Sequence, residues 1–170
     1  MKRIALLAIL TAIAGCGSSS PTNPTSGPIV FTSALSAANE VPPVTNADAN
    51  GRGTATITLN VPRDSSGAIT GAGTMNFSAQ LSGLPAGTEV RAAHIHPGEA
   101  GRNGSPLVNT GLTAATAITL ADGSGTLNFT NVAISQVDAQ SIMTNPAGFY
   151  FNAHTSTSPG GAVRGQLARR

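Results

Sequence analysis

The three histidines of the chain are the residues whose types and spacing could do chemistry. His94 and His96 are separated by one residue in AHIHPG, and His154 lies in FYFNAHT. Alternation along a strand places His94 and His96 on one face, about 7 Å apart at roughly 3.3 Å per residue. If the two strands approach each other, three imidazoles converge on one point. Imidazoles suit copper or zinc better than calcium or magnesium. The spacing therefore predicts a three-histidine metal site, with copper the first choice and zinc the second.

The same histidines also allow a metal-free interpretation. In that interpretation His94 and His96 cap backbone carbonyls at a strand end, and His154 makes a hydrogen bond in the core. The two interpretations differ in pH dependence, because a metal held by neutral imidazoles is expected to dissociate as the pH falls through roughly 6.5. No phosphate-binding glycine loop, Ser-His-Asp order or Cys-His pair supports a hydrolase.

Two charged residues accompany further motifs. Arg164 lies in AVRGQL, where strand alternation turns Arg164 and Gln166 away from the face of Val163 and Leu167. We expect Arg164 to pair with a carboxylate such as that of Glu40. The alternative is an anion guide beside a metal, because a guanidinium fork binds small oxyanions well. Glu40 itself precedes Val-Pro-Pro, whose consecutive prolines predict a rigid edge or corner. The alternative is that Glu40 belongs to a ligand site, beside the metal with Arg164.

The elements that must position these residues have the pattern of β-strands. Residues 53–61, GTATITLNV, alternate strictly between apolar and polar side chains, and MNFSAQL repeats the pattern. Short alternating runs separated by turn sequences predict an antiparallel sandwich or barrel. The spacing of Ile134, Val137 and Ile142 predicts one short helix over residues 133–143, ended by an Asn-Pro pair.

The N-terminus predicts export and a lipid anchor. Residues 1–15, MKRIALLAILTAIAG, have a basic start and an apolar run that is shorter than the roughly 20 residues needed to span a bilayer. Ile-Ala-Gly-Cys16 resembles a bacterial lipobox, in which cleavage precedes an acylated cysteine. The alternative is an ordinary signal peptide with an incidental thiol. Cys16 is the only cysteine of the chain, which excludes an intramolecular disulfide. Gly17 in place of aspartate favours the outer over the inner membrane, by resemblance to the lipoprotein sorting rule.

The remaining chain divides into a tether and one domain. Residues 16–28 are rich in Ser, Pro and Thr and predict a tether, and residues 29–170 predict a single globular domain. Removal of the signal peptide would remove Lys2 and Arg3, which leaves seven basic and seven acidic residues in the mature chain. No basic tract remains to predict nucleic-acid binding. We therefore expect membrane contact through the lipid, in the bacterial cell envelope, and leave open a protein or glycan partner there.

A set of short motifs in a fixed order resembles the CHRD domain, a family named for chordin and common in exported bacterial proteins. The motifs are ALSAANEVPP, LSGL, AHIHPG, GRNG, NAHT and PGGAVRGQL. The resemblance covers nearly all of residues 29–167 and places the three histidines, Glu40 and Arg164 at motif positions. It implies little about activity, since the bacterial members are mostly described as domains of unknown role. Growth-factor binding in chordin is associated with separate cysteine-rich modules, so it is not transferred.

The chain also resembles, more faintly, the copper-zinc superoxide dismutases. That family has a His-x-His on a strand, a later histidine, and then a glycine-rich turn and an arginine. The residues of this chain that match those positions are His94, His96, His154 and Arg164. The family's additional histidines, zinc-site aspartate and disulfide have no counterparts here, so the resemblance implies at most a three-histidine copper-only site. We expect an all-β fold, an antiparallel Greek-key β-sandwich of immunoglobulin-like or superoxide dismutase-like type with one short helix. The functions left open are copper binding, metal-free binding of an envelope protein or glycan, and a dismutase-like activity.

Overall fold

The computed structural model describes residues 27–170. The predicted signal peptide, the predicted lipidation site Cys16 and residues 16–26 of the predicted tether lie outside the described residues. Within residues 27–170 the chain forms short strands and one α-helix. The strands are β1 (Ile29–Ser36), β2 (Arg52–Asn60), β3 (Gly73–Ser82), β4 (Thr88–Pro97), β5 (Val108–Asn109), β6 (Ile118–Leu120), β7 (Gly125–Ile134), β8 (Phe149–Thr155), β9 (Val163–Gln166) and β10 (Ala168–Arg169), and the helix is α1 (Gln136–Thr144).

All strand pairs are antiparallel and follow the order β5-β4-β8-β9-β1-β2-β3-β7, with β10 beside β1 and β6 beside β4. Strands β1 and β9 pair only where Ser36 meets Arg164, so the sheet parts there into two halves. The halves pack face to face, and the rings of Phe77 on β3 and Phe151 on β8 lie 6.0 Å apart between centroids. The predicted all-β, antiparallel, sandwich-like fold is confirmed.

Alternation builds the core as the sequence predicts. On β2 the side chains of Ala55, Ile57 and Leu59 are buried, whereas the threonines between them are partly exposed. On β3 the apolar residues of MNFSAQL are likewise buried. The two halves therefore cover each other with aliphatic side chains and a few phenylalanines, since a strand sends successive residues to opposite faces.

The single α-helix begins later than its apolar spacing predicts. Strand β7 continues to Ile134, and the helix starts after Ser135, whose side chain accepts a hydrogen bond from the backbone N–H of Asp138 at 3.1 Å. Serine is a strong N-cap because it satisfies one of the helix's unpaired N–H groups. Ile142 is buried as expected, but Val137 is 70% exposed. The cap, and not the apolar spacing, sets the start of the helix.

The outer face of the β4-β8-β9 half carries a ladder of polar side chains. The residues between them, such as Ile95 and Phe151, point inward to the core. Backbone register aligns the outward residues in two rows, His96–Tyr150–Gln166 and His94–Asn152–Arg164. The second row continues to the last residue of β1, Ser36.

Candidate metal centre

The pairing of β4 with β8 brings the three histidines together. Ala92 of β4 is opposite His154, two residues along from the pair formed by His94 and Asn152, so His154 lies on the same face as that pair. The Nδ1 of His94 lies 3.2 Å from the Nε2 of His154, and one ring nitrogen from each histidine lies within 4.8 Å of the other two. This spacing is small enough for the three nitrogens to bind a single ion. The strands of the two histidine motifs therefore meet as the sequence analysis required.

Backbone carbonyls fix the tautomers of two histidines. The Nδ1 of His96 lies 2.9 Å from the carbonyl oxygen of Gly104, and the Nδ1 of His154 lies 3.0 Å from that of Pro159. A carbonyl can only accept, so each Nδ1 carries a proton and each Nε2 presents a lone pair. The Nε2 of His96 is buried and has no hydrogen-bond partner. This arrangement is the one by which proteins orient imidazole ligands toward a metal.

The third ligand atom follows from the same reasoning. Since the Nε2 of His154 carries a lone pair, the contact at 3.2 Å makes the Nδ1 of His94 the donor in the metal-free protein. Binding of a metal at this Nδ1 would require the other neutral tautomer of His94, in which the proton lies on Nε2. The ligand set would then be Nδ1 of His94 with Nε2 of His96 and Nε2 of His154.

The surroundings keep these imidazoles neutral. Burial, together with the smaller effects of the neighbouring His154 and His96, lowers the pKa of His94 to about 4. Burial also lowers the pKa of His96 and of His154, partly offset by the hydrogen bonds to Gly104 and Pro159. Neutral imidazole is the metal-binding form. We therefore expect protons to compete with a metal at a lower pH than the value of roughly 6.5 for a free imidazole.

A family model for the CHRD domain matches residues 31–167. The chain belongs to the CHRD domain family. The resemblance seen in its ordered motifs is thereby confirmed, and all three histidines lie inside the matched region. No curated protein and no solved structure matches the chain. Among residues 27–170, no helix has the length and apolar character needed to cross a membrane.

Tyr150 is a residue of this CHRD domain's site that the sequence analysis did not propose. It is 2% exposed, and its ring is stacked on that of His96 with 4.8 Å between centroids and 4° between planes. The guanidinium of Arg164 also stacks on the ring of Tyr150, with its Cζ 3.4 Å from the ring centroid. The available signal was the alternation of FYFNAHT, which places Tyr150 on the same face as His154.

Arg164 does not form the ion pair with Glu40 that we expected. Its side chain is 1% exposed and donates to the carbonyls of Glu99 at 3.0 Å and Arg102 at 2.6 Å, and to Oδ1 of Asn103 at 2.9 Å. In the described part of the chain, the one ion pair within 4 Å joins two other residues, both on β4. The loop after β4 covers the guanidinium and uses its donors. Arg164 is therefore placed behind the histidines and not at their exposed side, where an anion guide would have to lie.

Glu40 is buried near the histidines but is not one of the converging ligands. It is 6% exposed; the Nδ2 of Asn152 donates to its Oε2 at 3.3 Å, and its Oε1 has no hydrogen-bond partner. Burial raises the pKa of Glu40 to about 7, against the opposing effects of Arg164 and Asn152. The carboxyl group of Glu40 is therefore mostly protonated below about pH 7.

Gly104, the last residue of the GRNG motif, forms hydrogen bonds with both His96 and Tyr150. Its carbonyl accepts from His96, and its N–H donates to the hydroxyl of Tyr150 at 3.3 Å. A Cβ at this position would lie 1.9 Å from the carbonyl oxygen of Pro97. Only glycine therefore allows the loop to approach β4 closely enough to hold His96.

We expect the substitution Gly104→Ala to lower metal affinity by roughly ten- to a hundredfold, the usual cost of losing a partner that orients a ligand. The added methyl group must push the loop away from Pro97 and so release the Nδ1 of His96. Calorimetric titration would measure the change. Gly160→Ala is the matched control, because a Cβ at Gly160 meets nothing within 4 Å. Equal affinity in the two variants would contradict the role given to Gly104.

Proposed function

We propose that this CHRD domain binds one copper ion through His94, His96 and His154 and serves in metal handling or redox chemistry. The observation that carries the proposal is the convergence of the three ring nitrogens within 4.8 Å. Two of the rings are already oriented by hydrogen bonds from their Nδ1 atoms to backbone carbonyls, which leaves a lone pair on each Nε2 for a metal. Such preorganisation reduces the cost of ordering the ligands when a metal binds.

The choice of copper over other ions follows from the ligand chemistry. The cluster offers three neutral nitrogen ligands, which suit copper and zinc, whereas hard ions such as calcium require several oxygens. Affinity of nitrogen sites rises along the divalent series to copper and falls again at zinc. Copper is therefore the expected ion and zinc the second choice. His94 and His154 are partly exposed, which leaves room for a further ligand.

We further propose that the protein is a lipoprotein of the bacterial cell envelope, anchored through acylated Cys16 and in the outer rather than the inner membrane. The support is the sequence of the N-terminus, which joins a signal-like segment, a lipobox-like cysteine and a Ser/Pro/Thr-rich tether. Acyl chains on Cys16 would supply a stable anchor.

The rival function is a metal-free binding module for an envelope protein or glycan. It uses the same histidines as hydrogen-bonding groups of the fold. A dismutase-like activity has less support, because Arg164, which would guide the anion, is buried behind the site and donates to backbone carbonyls. Metal binding itself separates the first two functions.

The test is a calorimetric titration of copper(II) and of zinc(II) into a soluble chain that begins at Ser26. We expect one copper ion per chain with a sub-micromolar dissociation constant, weaker zinc binding, and nitrogen hyperfine structure in the electron paramagnetic resonance spectrum. The matched control is the variant with His94→Ala, His96→Ala and His154→Ala combined, checked for folding by circular dichroism. Copper binding that is weak, or that persists in the folded triple variant, would favour the metal-free module.

A further inference from the structure

A stack of three side chains connects a histidine of the site to a buried positive charge. The ring of Tyr150 on β8 is stacked on His96 of β4, and the guanidinium of Arg164 on β9 lies over the same ring. Because β8 runs between β4 and β9, the imidazole and the guanidinium approach the tyrosine from opposite sides. Planar groups stacked in this way hold their separation, so the charge stays at a fixed distance from the ligand.

The charge of Arg164 has no neutralising partner in contact. Its guanidinium donates to two backbone carbonyls and to the side-chain amides of Asn103 and Gln166, all of which are neutral groups. No carboxylate oxygen of residues 27–170 lies within 4 Å of it. Because Arg164 is only 1% exposed, water screens its charge weakly. The field of this cation therefore acts on nearby charges more strongly than that of an exposed arginine would.

We propose that Arg164 is a positioning residue that tunes the copper site, its buried guanidinium stabilising copper(I) relative to copper(II). The inference rests on the proposed copper site and adds a control of its redox equilibrium. Copper(II) carries one more positive charge than copper(I), so a fixed cation nearby raises the free energy of the oxidised ion more. Outer groups are known to tune metal centres through such charges and hydrogen bonds.

A purely structural role for Arg164 makes a different prediction. The guanidinium also holds the loop that carries Gly104, through the carbonyls of Glu99 and Arg102. Loss of that role would weaken the binding of copper(I) and of copper(II) to the same extent. The reduction potential, which reports the ratio of the two affinities, therefore separates tuning from scaffolding.

The experiment is protein-film voltammetry of the full chain, purified in detergent and loaded with copper, at pH 6, where Glu40 with its pKa of about 7 is mostly protonated. Arg164→Gln is expected to shift the equilibrium roughly tenfold toward copper(II), a fall in potential of about 59 mV for a one-electron couple. Arg164→Lys keeps the charge and is expected to restore most of the wild-type potential. Unchanged potential in a copper-binding Arg164→Gln variant would overturn the proposal.

A second variant covers the case in which Arg164→Gln does not fold. Asn103 is exposed, and its Oδ1 already accepts from Arg164 at 2.9 Å, so Asn103→Asp keeps this acceptor and adds a compensating negative charge. We expect its potential to fall in the same direction, while the control Asn128→Asp on the exposed face of β7 leaves it unchanged. Equal potentials in the two aspartate variants would refute the tuning role. Absence of copper from the wild-type chain would instead refute the proposed function.

Discussion

Replacing His96 with alanine is expected to weaken copper binding by at least about a hundredfold, or about 2.8 kcal/mol at 1.4 kcal/mol per factor of ten. His96 is the most buried of the three histidines, at 5% exposure, and its Nε2 is buried without a hydrogen-bond partner. Its removal leaves two imidazoles and a position that water must fill. A two-nitrogen site holds copper much less tightly than a three-nitrogen site.

The measurement is competition of each variant with a chelator of known copper affinity. Arg91→Ala is the matched control, because Arg91 lies on the same strand but is exposed and pairs with Glu89. Thermal unfolding of both variants would establish that the sandwich is intact. A change of less than about threefold in the folded His96→Ala variant would show that this imidazole is not a ligand.

Replacing Glu40 with glutamine is expected to make stability less dependent on pH. The pKa of Glu40 is about 7 in the folded protein, whereas a solvated glutamate has a value of 4.5. Between these two values the unfolded chain releases the proton and the folded chain retains it. The unfolding free energy of the wild type therefore falls as the pH rises from 4.5 to 7 and then levels off. Glutamine has the same shape and cannot ionise, so the variant escapes this loss.

The size of the effect is about 3 kcal/mol, since one unit of pKa corresponds to about 1.4 kcal/mol. Urea unfolding at pH 4.5 and pH 8 would measure it as a difference between wild type and Glu40→Gln that grows with pH. Glu99→Gln, at an exposed position, is the control and should track the wild type. Parallel stability profiles for Glu40→Gln and the wild type would show that Glu40 is ionised in the fold at neutral pH.

The sequence predicted those features of the site that depend on strand periodicity. Because side chains alternate with a period of two, His94 and His96 had to share a face, and so did Arg164 and Gln166. His154 can lie beside His94 and His96 only if its strand pairs with β4, and strand pairing is non-local, so the sequence alone did not predict it. The structure shows that β8 pairs with β4.

The features that the sequence analysis missed depend on one loop. The segment between β4 and β5 folds back over β9. Two of its backbone carbonyls accept hydrogen bonds from Arg164, and the carbonyl of Gly104 accepts one from His96. No local pattern encodes that path, so the expected pair of Arg164 with Glu40 was wrong and Tyr150 was not proposed. The late start of α1 has a local cause instead, because Ser135 was visible in the sequence as a capping residue.

Strand β1 spans the distance between the start of the domain and the row of residues that contains His94. The described chain enters the sandwich at Ile29, and the other end of the strand, Ser36, lies in the same row as Arg164, Asn152 and His94. Seven residues of extended chain separate the two ends by roughly 23 Å. If the domain is anchored through its N-terminus as proposed, its histidines lie at the end of β1 remote from the side at which the chain enters the sandwich.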